Sequence, residues 1–143
     1  MTVVAEASVG GSPDYLRWIA ATSEIWASEP SREKIEVFSV TLVPPSIAPA
    51  GTIAVPGGPE SLVIDQGHGR AFTHLWNGGT VAVDVHSRTV GATWSNGCND
   101  SRGIAVDEAR GFVFAGCAEG RVAVLDARMA TWSATRGSSM ASM

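Results

Sequence analysis

Leu62-Val63-Ile64-Asp65 returns downstream as Ile104-Ala105-Val106-Asp107, and Thr80-Val81-Ala82-Val83-Asp84 returns as Val122-Ala123-Val124-Leu125-Asp126. The interval is about 42 residues in both cases, and Gly69 and Phe72 map onto Gly111 and Phe114 across it. A third copy lies upstream at an interval of about 46 residues. There Gly11-Ser12-Pro13-Asp14-Tyr15-Leu16 matches Gly57-Gly58-Pro59-Glu60-Ser61-Leu62. Trp26 falls on Phe72, and Ile35 and Val37 fall on Val81 and Val83. One unit of this length cannot bury its own apolar face, so such units must stack on one another.

The units read as strands rather than helices. Apolar residues alternate in Thr80-Val81-Ala82-Val83, and turn residues punctuate each run, as in Asn77-Gly78-Gly79 and His86-Ser87-Arg88. A repeat of this length built from short strands has the pattern of a four-stranded β-propeller blade. The reading is therefore all-β, with three blades starting near Asp14, Glu60 and Arg102. In the first blade the strands A to D are expected at 15–19, 25–28, 34–39 and 51–55. In the second they are expected at 61–64, 70–75, 80–85 and 89–94, and in the third at 103–106, 111–116, 121–126 and a weaker 130–135. The Pro-rich stretch 42–49 reads as an insertion between strands C and D, because proline lacks the amide donor a central strand needs. Residues 2–9 correspond to a strand D of a blade preceding the first. Residues 1–135 thus form one propeller unit, and 136–143 resemble a tag or vector sequence that is set aside from fold reasoning.

Pro59-Glu60-Ser61-Leu62-Val63-Ile64-Asp65 and Ser101-Arg102-Gly103-Ile104-Ala105-Val106-Asp107-Glu108-Ala109-Arg110-Gly111 resemble the YVTN/NHL-type β-propellers. The resemblance covers roughly residues 10–130 and bears on fold far more than on function, since such propellers host scaffolds and enzymes alike. It implies about half a ring. Closed propellers need about 4–8 blades, so the expectation is a homodimer of six blades. In it, residues 2–9 of one chain would supply the outer strand of the third blade in the other.

Net charge is −4, and Lys34 is the only lysine, so no basic face for nucleic acid is expected. No apolar run is long enough for a membrane helix, and the N-terminus, with its early Glu6, has no basic leader region. A cytoplasmic location as expressed is the corresponding expectation. Cys98 and Cys117 belong to one end of the third blade and could form a disulfide or remain as two thiols.

In a propeller the residues entering strand A lie nearest the axis, where pockets form. Here these are the equivalent residues Asp14, Glu60 and Arg102. Asp14 and Glu60, with oxygen donors, could hold Ca²⁺, Mg²⁺ or Mn²⁺, or could simply pair with Arg102 across blades. Six-bladed paraoxonase-like and gluconolactonase-like hydrolases hold an axial metal with Glu, Asp and Asn from these loops. This chain is similar in having Asp14 and Glu60 there, with Asn77, Asn99 and Asp100 on nearby loops and Trp76 beside them as a pocket wall or gap filler. His74 ends strand B of the second blade, where its equivalents are Ser28 and Gly116. It reads either as a base toward metal-bound water or as a packed histidine. His68 and His86, in turns at the other end, could approach each other and offer imidazoles to Zn²⁺. The aspartates 65, 84, 107 and 126 recur at strand ends and read as turn caps.

Two functions follow. One is a binding scaffold with an axial pocket for a small ligand, restored by self-association. The other is a metal-assisted hydrolase of esters, lactones or phosphotriesters. In it Asp14 and Glu60 bind the metal, His74 is the base and Arg102 contacts the anion.

Overall fold

The computed structural model describes residues 1–129 and is all-β, with three antiparallel sheets. Sheet 1 contains β1 (Leu16–Ile19), β2 (Glu24–Glu29), β3 (Lys34–Leu42) and β4 (Pro45–Ala54) in that order. Sheet 2 contains β5 (Val63–Asp65), β6 (Arg70–His74), β7 (Gly79–Asp84) and β8 (Val90–Ser95). Sheet 3 contains β9 (Ser101–Asp107), β10 (Phe112–Cys117) and β11 (Arg121–Asp126). The fourth strand expected for sheet 3, at 130–135, lies outside the described residues. No helix among the described residues is long and apolar enough to cross a membrane.

Each strand pairs with the next along the chain, as a meander of short strands and tight turns dictates. The repeated aspartates close those turns. Asp84 Oδ1 accepts from the amides of His86 and Ser87, Asp107 Oδ1 from Arg110, and Asp126 Oδ1 from Arg128. Asp65 does the same for His68.

The sheets stack through two cores. Ile19, Trp26, Ile35, Val37 and Ile53 of sheet 1 share one cluster with Leu62, Ile64, Ala71, Val81 and Val83. Phe72 and Ala82, on the opposite face of sheet 2, pack with Val113 and Ala127, with Trp94, Ile104, Val106 and Leu125 around them. Trp26 and Phe72 are both fully buried, and each contributes roughly 2–3 kcal/mol of transfer free energy. The first strands β1, β5 and β9 touch in sequence.

Pairing corrects one part of the repeat. Trp26 pairs with Val37, Phe72 with Ala82, and Phe114 with Val124. Val37 is therefore the counterpart of Ala82, and Val81 and Val83 correspond to Glu36 and Phe38 rather than to Ile35 and Val37. A slip of one residue moves a side chain to the other face of a sheet. Accordingly Ile35 and Val37 face sheet 2, whereas Val81 and Val83 face sheet 1.

Two further expectations change. Residues 2–9 form no strand and are largely exposed. The stretch 42–49 is no loop insertion: β3 and β4 run on together as far as the Leu42–Pro45 pair. The prolines are tolerated because β4 is the edge strand, where a missing amide donor breaks no ladder. Opposite Val37 the register shifts at Gly51, whose φ of 136° favours glycine. A side chain there would meet Arg88, which donates from Nη1 to Ala50 O at 2.8 Å and from Nη2 to Glu24 Oε2 at 2.6 Å. Arg88 thus ties sheet 2 to sheet 1.

Candidate functional site

At one end of the strands, the segment entering β5, the β6–β7 turn and the segment entering β9 meet. The backbone fixes the meeting point. Glu60 N donates to His74 O at 2.9 Å, Trp76 N to Gly57 O at 2.8 Å, and Ser101 N to Trp76 O at 3.3 Å. Gly78, with a φ of 89°, lets the turn lie against the Cys98 carbonyl, where any Cβ would collide.

Four of the residues singled out from sequence come together here. Trp76 Nε1 donates to Glu60 Oε2 at 2.7 Å. Arg102 donates from Nη1 to Glu60 Oε1 at 3.5 Å and from Nη2 to Asp100 Oδ2 at 2.7 Å. The Glu60 carboxylate is mostly sheltered, while Arg102 is more than half exposed. The pairing of Glu60 with Arg102 is the inter-unit ion pair weighed against metal binding. With both Glu60 oxygens engaged, the carboxylate acts as a bracket that fixes the half-exposed indole of Trp76.

The other expected residues sit apart from this cluster. Asp14 is exposed, donates its backbone amide to Ser28 O at 2.8 Å, and takes no part in the Glu60 contacts. Asn77 is exposed in the turn beside Trp76. Asn99 is exposed and donates its backbone amide to Glu119 Oε2 at 2.9 Å. That amide is the main reason the Glu119 carboxyl is held down at about 2. Among the described residues no three His, Cys, Asp or Glu side chains assemble into a metal-binding group. The carboxylates and imidazole of the hydrolase reading therefore do not meet within these residues of one chain.

His74 is fully buried. Nε2 lies 3.2 Å from Gly103 O and Nδ1 lies 2.9 Å from Thr80 Oγ1. A carbonyl only accepts, so Nε2 carries the proton and Nδ1 accepts from the hydroxyl. Burial pushes the imidazole down to about 4, so it is neutral at pH 7. Of its two sequence readings, the packed histidine matches this geometry.

Beneath the turn lies a polar residue that sequence reasoning passed over. Asn96 is buried, and the two hydrogens of Nδ2 are shared among Gly79 O, Thr80 Oγ1 and Ser101 Oγ at 3.2, 3.0 and 2.8 Å. Its Oδ1 accepts from Cys98 N at 2.9 Å. An asparagine before Gly97-Cys98 looks like an ordinary turn residue, and only packing shows that it organises the loop. Cys98 and Cys117 are joined in a disulfide, so neither is a free thiol nucleophile.

At the opposite strand ends is a recess of about 450 Å³ whose lining includes His68, Arg70, Glu108, Arg110, Phe112 and Arg128. Its arginines are already matched: Arg70 on Asp65, Arg110 on Asp107, Arg128 on Asp126. Burial alone would raise the Asp65 carboxyl, but hydrogen bonds from His68 and Arg70 outweigh it and hold it low. His68 Nδ1 is thus directed at Asp65, at 2.9 Å. His86 stands near Gly69, at the same end of the sheet.

No protein-family model matches the chain, and neither does any curated protein.

Proposed function

We propose that the chain is a binding scaffold that completes itself by association. In this reading the three sheets are propeller blades, and a second copy closes a six-bladed ring around an axial pocket. The observation that carries it is a contrast between equivalent positions. Leu16 and Trp18 are 56% and 43% exposed on the outer face of sheet 1, whereas their register equivalents in sheet 2, Leu62 and Ile64, are 0% and 7% exposed. Val122 and Val124 are 73% and 59% exposed on the outer face of sheet 3, whereas Ile35 and Val37, facing sheet 2 from the same side of sheet 1, are 0% and 1% exposed. Apolar side chains uncovered at the two ends of a stack, where their counterparts between sheets are covered, are those a neighbouring blade would cover.

Strand exchange by residues 2–9 of a second copy onto β11 would add the outer strand of sheet 3. Among the described residues β11 pairs only with β10. The Trp76–Glu60–Arg102–Asp100 cluster, with Asn77 and Asn99 beside it, supplies the pocket wall. An anchored tryptophan flanked by arginine is the composition of a binding hot spot. Molar mass by light scattering, with metal content determined on the same peak, tests the reading. A dimer of the 14.8 kDa chain that becomes monomeric in Val122→Glu/Val124→Glu is expected. A monomeric parent chain, or a dimer indifferent to both substitutions, would overturn it.

A further inference from the structure

The outer face of sheet 1 carries two carboxyls where the other sheets carry apolar side chains. Glu36 pairs with Ala27 in the place that Val81 takes opposite Thr73 and Ala123 takes opposite Ala115. Glu29 follows Ser28 as Leu75 follows His74 and Cys117 follows Gly116. Yet Glu29 is fully buried, and neither of its oxygens has a hydrogen-bond donor. Among the described residues the cation within 4.0 Å of it is Arg32, whose side chain is half exposed.

The missing partner is the neighbouring acid. Glu29 and Glu36 are diagonal neighbours on one face of β2 and β3, and their Oε1 atoms lie against the consecutive residues Gly11 and Gly10. Two carboxylates have only acceptors, so a hydrogen bond between them requires a proton on one. Glu36 is the better supplied with positive partners: its Oε1 accepts from Gly10 N at 2.8 Å and lies 3.6 Å from Lys34 Nζ. When the pair holds one proton, its place is therefore Glu29. Burial first, and then the Glu36 carboxyl, push Glu29 above the ordinary range, with Lys34 and Arg32 opposing. Burial would raise Glu36 as well, but the Gly10 amide, the Glu29 hydrogen bond and Lys34 together hold it low.

Gly10 and Gly11 roof this pair. A Cβ on Gly11 would come 2.8 Å from Glu29 Oε1, and one on Gly10 would come 2.6 Å from Glu36 Oε1. Arg32 Nη1 donates to Gly10 O from the side. Glu29 is fully buried beneath this roof.

We propose that the Glu29–Glu36 pair is a proton-operated clasp for the N-terminal segment. With its proton in place, the pair holds Gly10 and Gly11 on sheet 1. Loss of the proton to solvent leaves a buried carboxylate beside a partly exposed one, which repel each other and demand hydration, and the segment is let go. The proposal does not rest on ring closure. The sign follows from the two shifts. Glu29, raised, favours the closed clasp fully below the ordinary glutamate value, and this contribution is lost as pH rises through its elevated value. Glu36, depressed, favours closure above the ordinary value and loses its contribution as pH falls through its lowered one. The clasp is therefore closed on the acid side of the Glu29 titration and opens on the alkaline side.

The test is NMR of the full chain over roughly pH 4 to 9, following the Gly10 and Gly11 amides and the glutamate carboxyl carbons. One carboxyl should titrate above the ordinary glutamate range and its partner below it. The Gly10 amide should follow the upper step, with its exchange protection falling about tenfold per pH unit beyond it. In Glu29→Gln, which keeps the hydrogen bond and cannot ionise, the upper step should vanish and Gly10 should stay protected throughout. A Gly10 amide without an upper step in the parent chain overturns the proposal, as does an unchanged step in Glu29→Gln. Should Glu29→Gln not fold, the carboxyl carbons of the parent chain decide alone: both titrating at or below the ordinary value also overturns it.

Discussion

Sheets 1 and 3 secure the same backbone junction by opposite chemistries. In each, the segment entering the first strand is fastened to the end of the second. Sheet 3 uses a covalent bond, Cys98 to Cys117. Sheet 1 uses a buried carboxyl, Glu29, beneath two glycines. Sheet 2, between them, uses the ordinary apolar solution, with Leu75 against Gly57 and Gly58. The covalent junction is blind to pH and open to reductant, and the carboxyl junction is the reverse. One backbone geometry thus tolerates three chemistries, and each makes the junction answer to a different condition.

The largest effect expected is at the covalent junction. The disulfide spans 19 residues, and removing it in Cys98→Ser/Cys117→Ser should cost about 3 kcal/mol of stability. Urea unfolding with and without reductant checks this: the parent chain should fall to the level of the variant, which reductant should leave unmoved.

A similar loss should follow acidification at sheet 2, where His74 precedes Leu75. Its folded value of about 4 lies below the 6.5 of a free imidazole. Stability from the neutral ring is therefore complete above the unfolded value and lost as pH falls toward the folded one, by up to about 3 kcal/mol. Unfolding midpoints should drop between pH 6.5 and 4, and His74→Gln should flatten that slope while lowering stability at pH 7.

Converting sheet 1 to the chemistry of sheet 2 should have a smaller effect of opposite sign. Glu29→Leu removes a buried carboxyl without donors and should stabilise the chain at pH 7 by about 1–2 kcal/mol. Thermal melts at neutral pH would show it, and a destabilised variant would mean that the carboxyl pair is worth more than its burial costs. The smallest effect belongs to the exposed ion pairs. Arg102→Ala, at a side chain 55% exposed, should change stability by less than about 1 kcal/mol. The same variant should weaken any ligand held at the Trp76 cluster, which ligand titration would separate from the stability change.

Much of the fold was legible because its signals are local. The repeat, the alternation of Thr80-Val81-Ala82-Val83 and the aspartate turn caps each act within a few residues, and they located ten of the eleven described strands to within a few positions, the exception being β4, which begins at Pro45. The errors came where pairing decides. Sequence offset aligned Val37 with Val83, yet the ladder aligns it with Ala82, because the β2–β3 turn is one residue longer than the β6–β7 turn. The prolines of 42–49 looked like breakers because their being on an edge strand is a property of the sheet. The site was legible in part. Loop position along the repeat identified Glu60, Trp76, Asp100 and Arg102, which do meet, and grouped them with Asp14, which stays apart. Asn96, Glu29 and Glu36 gave no signal, since a polar residue in a strand or turn reads as solvated until something is packed over it.

The sequence by itself determined the unit, the strand order within each unit and the turn chemistry, because those depend on alternation and on φ preferences of neighbouring residues. Tertiary structure alone decided which face each strand presents and whether His74 is neutral. It also decided that Cys98 reaches Cys117 and that a carboxyl at Glu29 lies under Gly11. Each of these depends on register and burial, which are set by distant residues meeting, and a change of one position in pairing reverses the outcome.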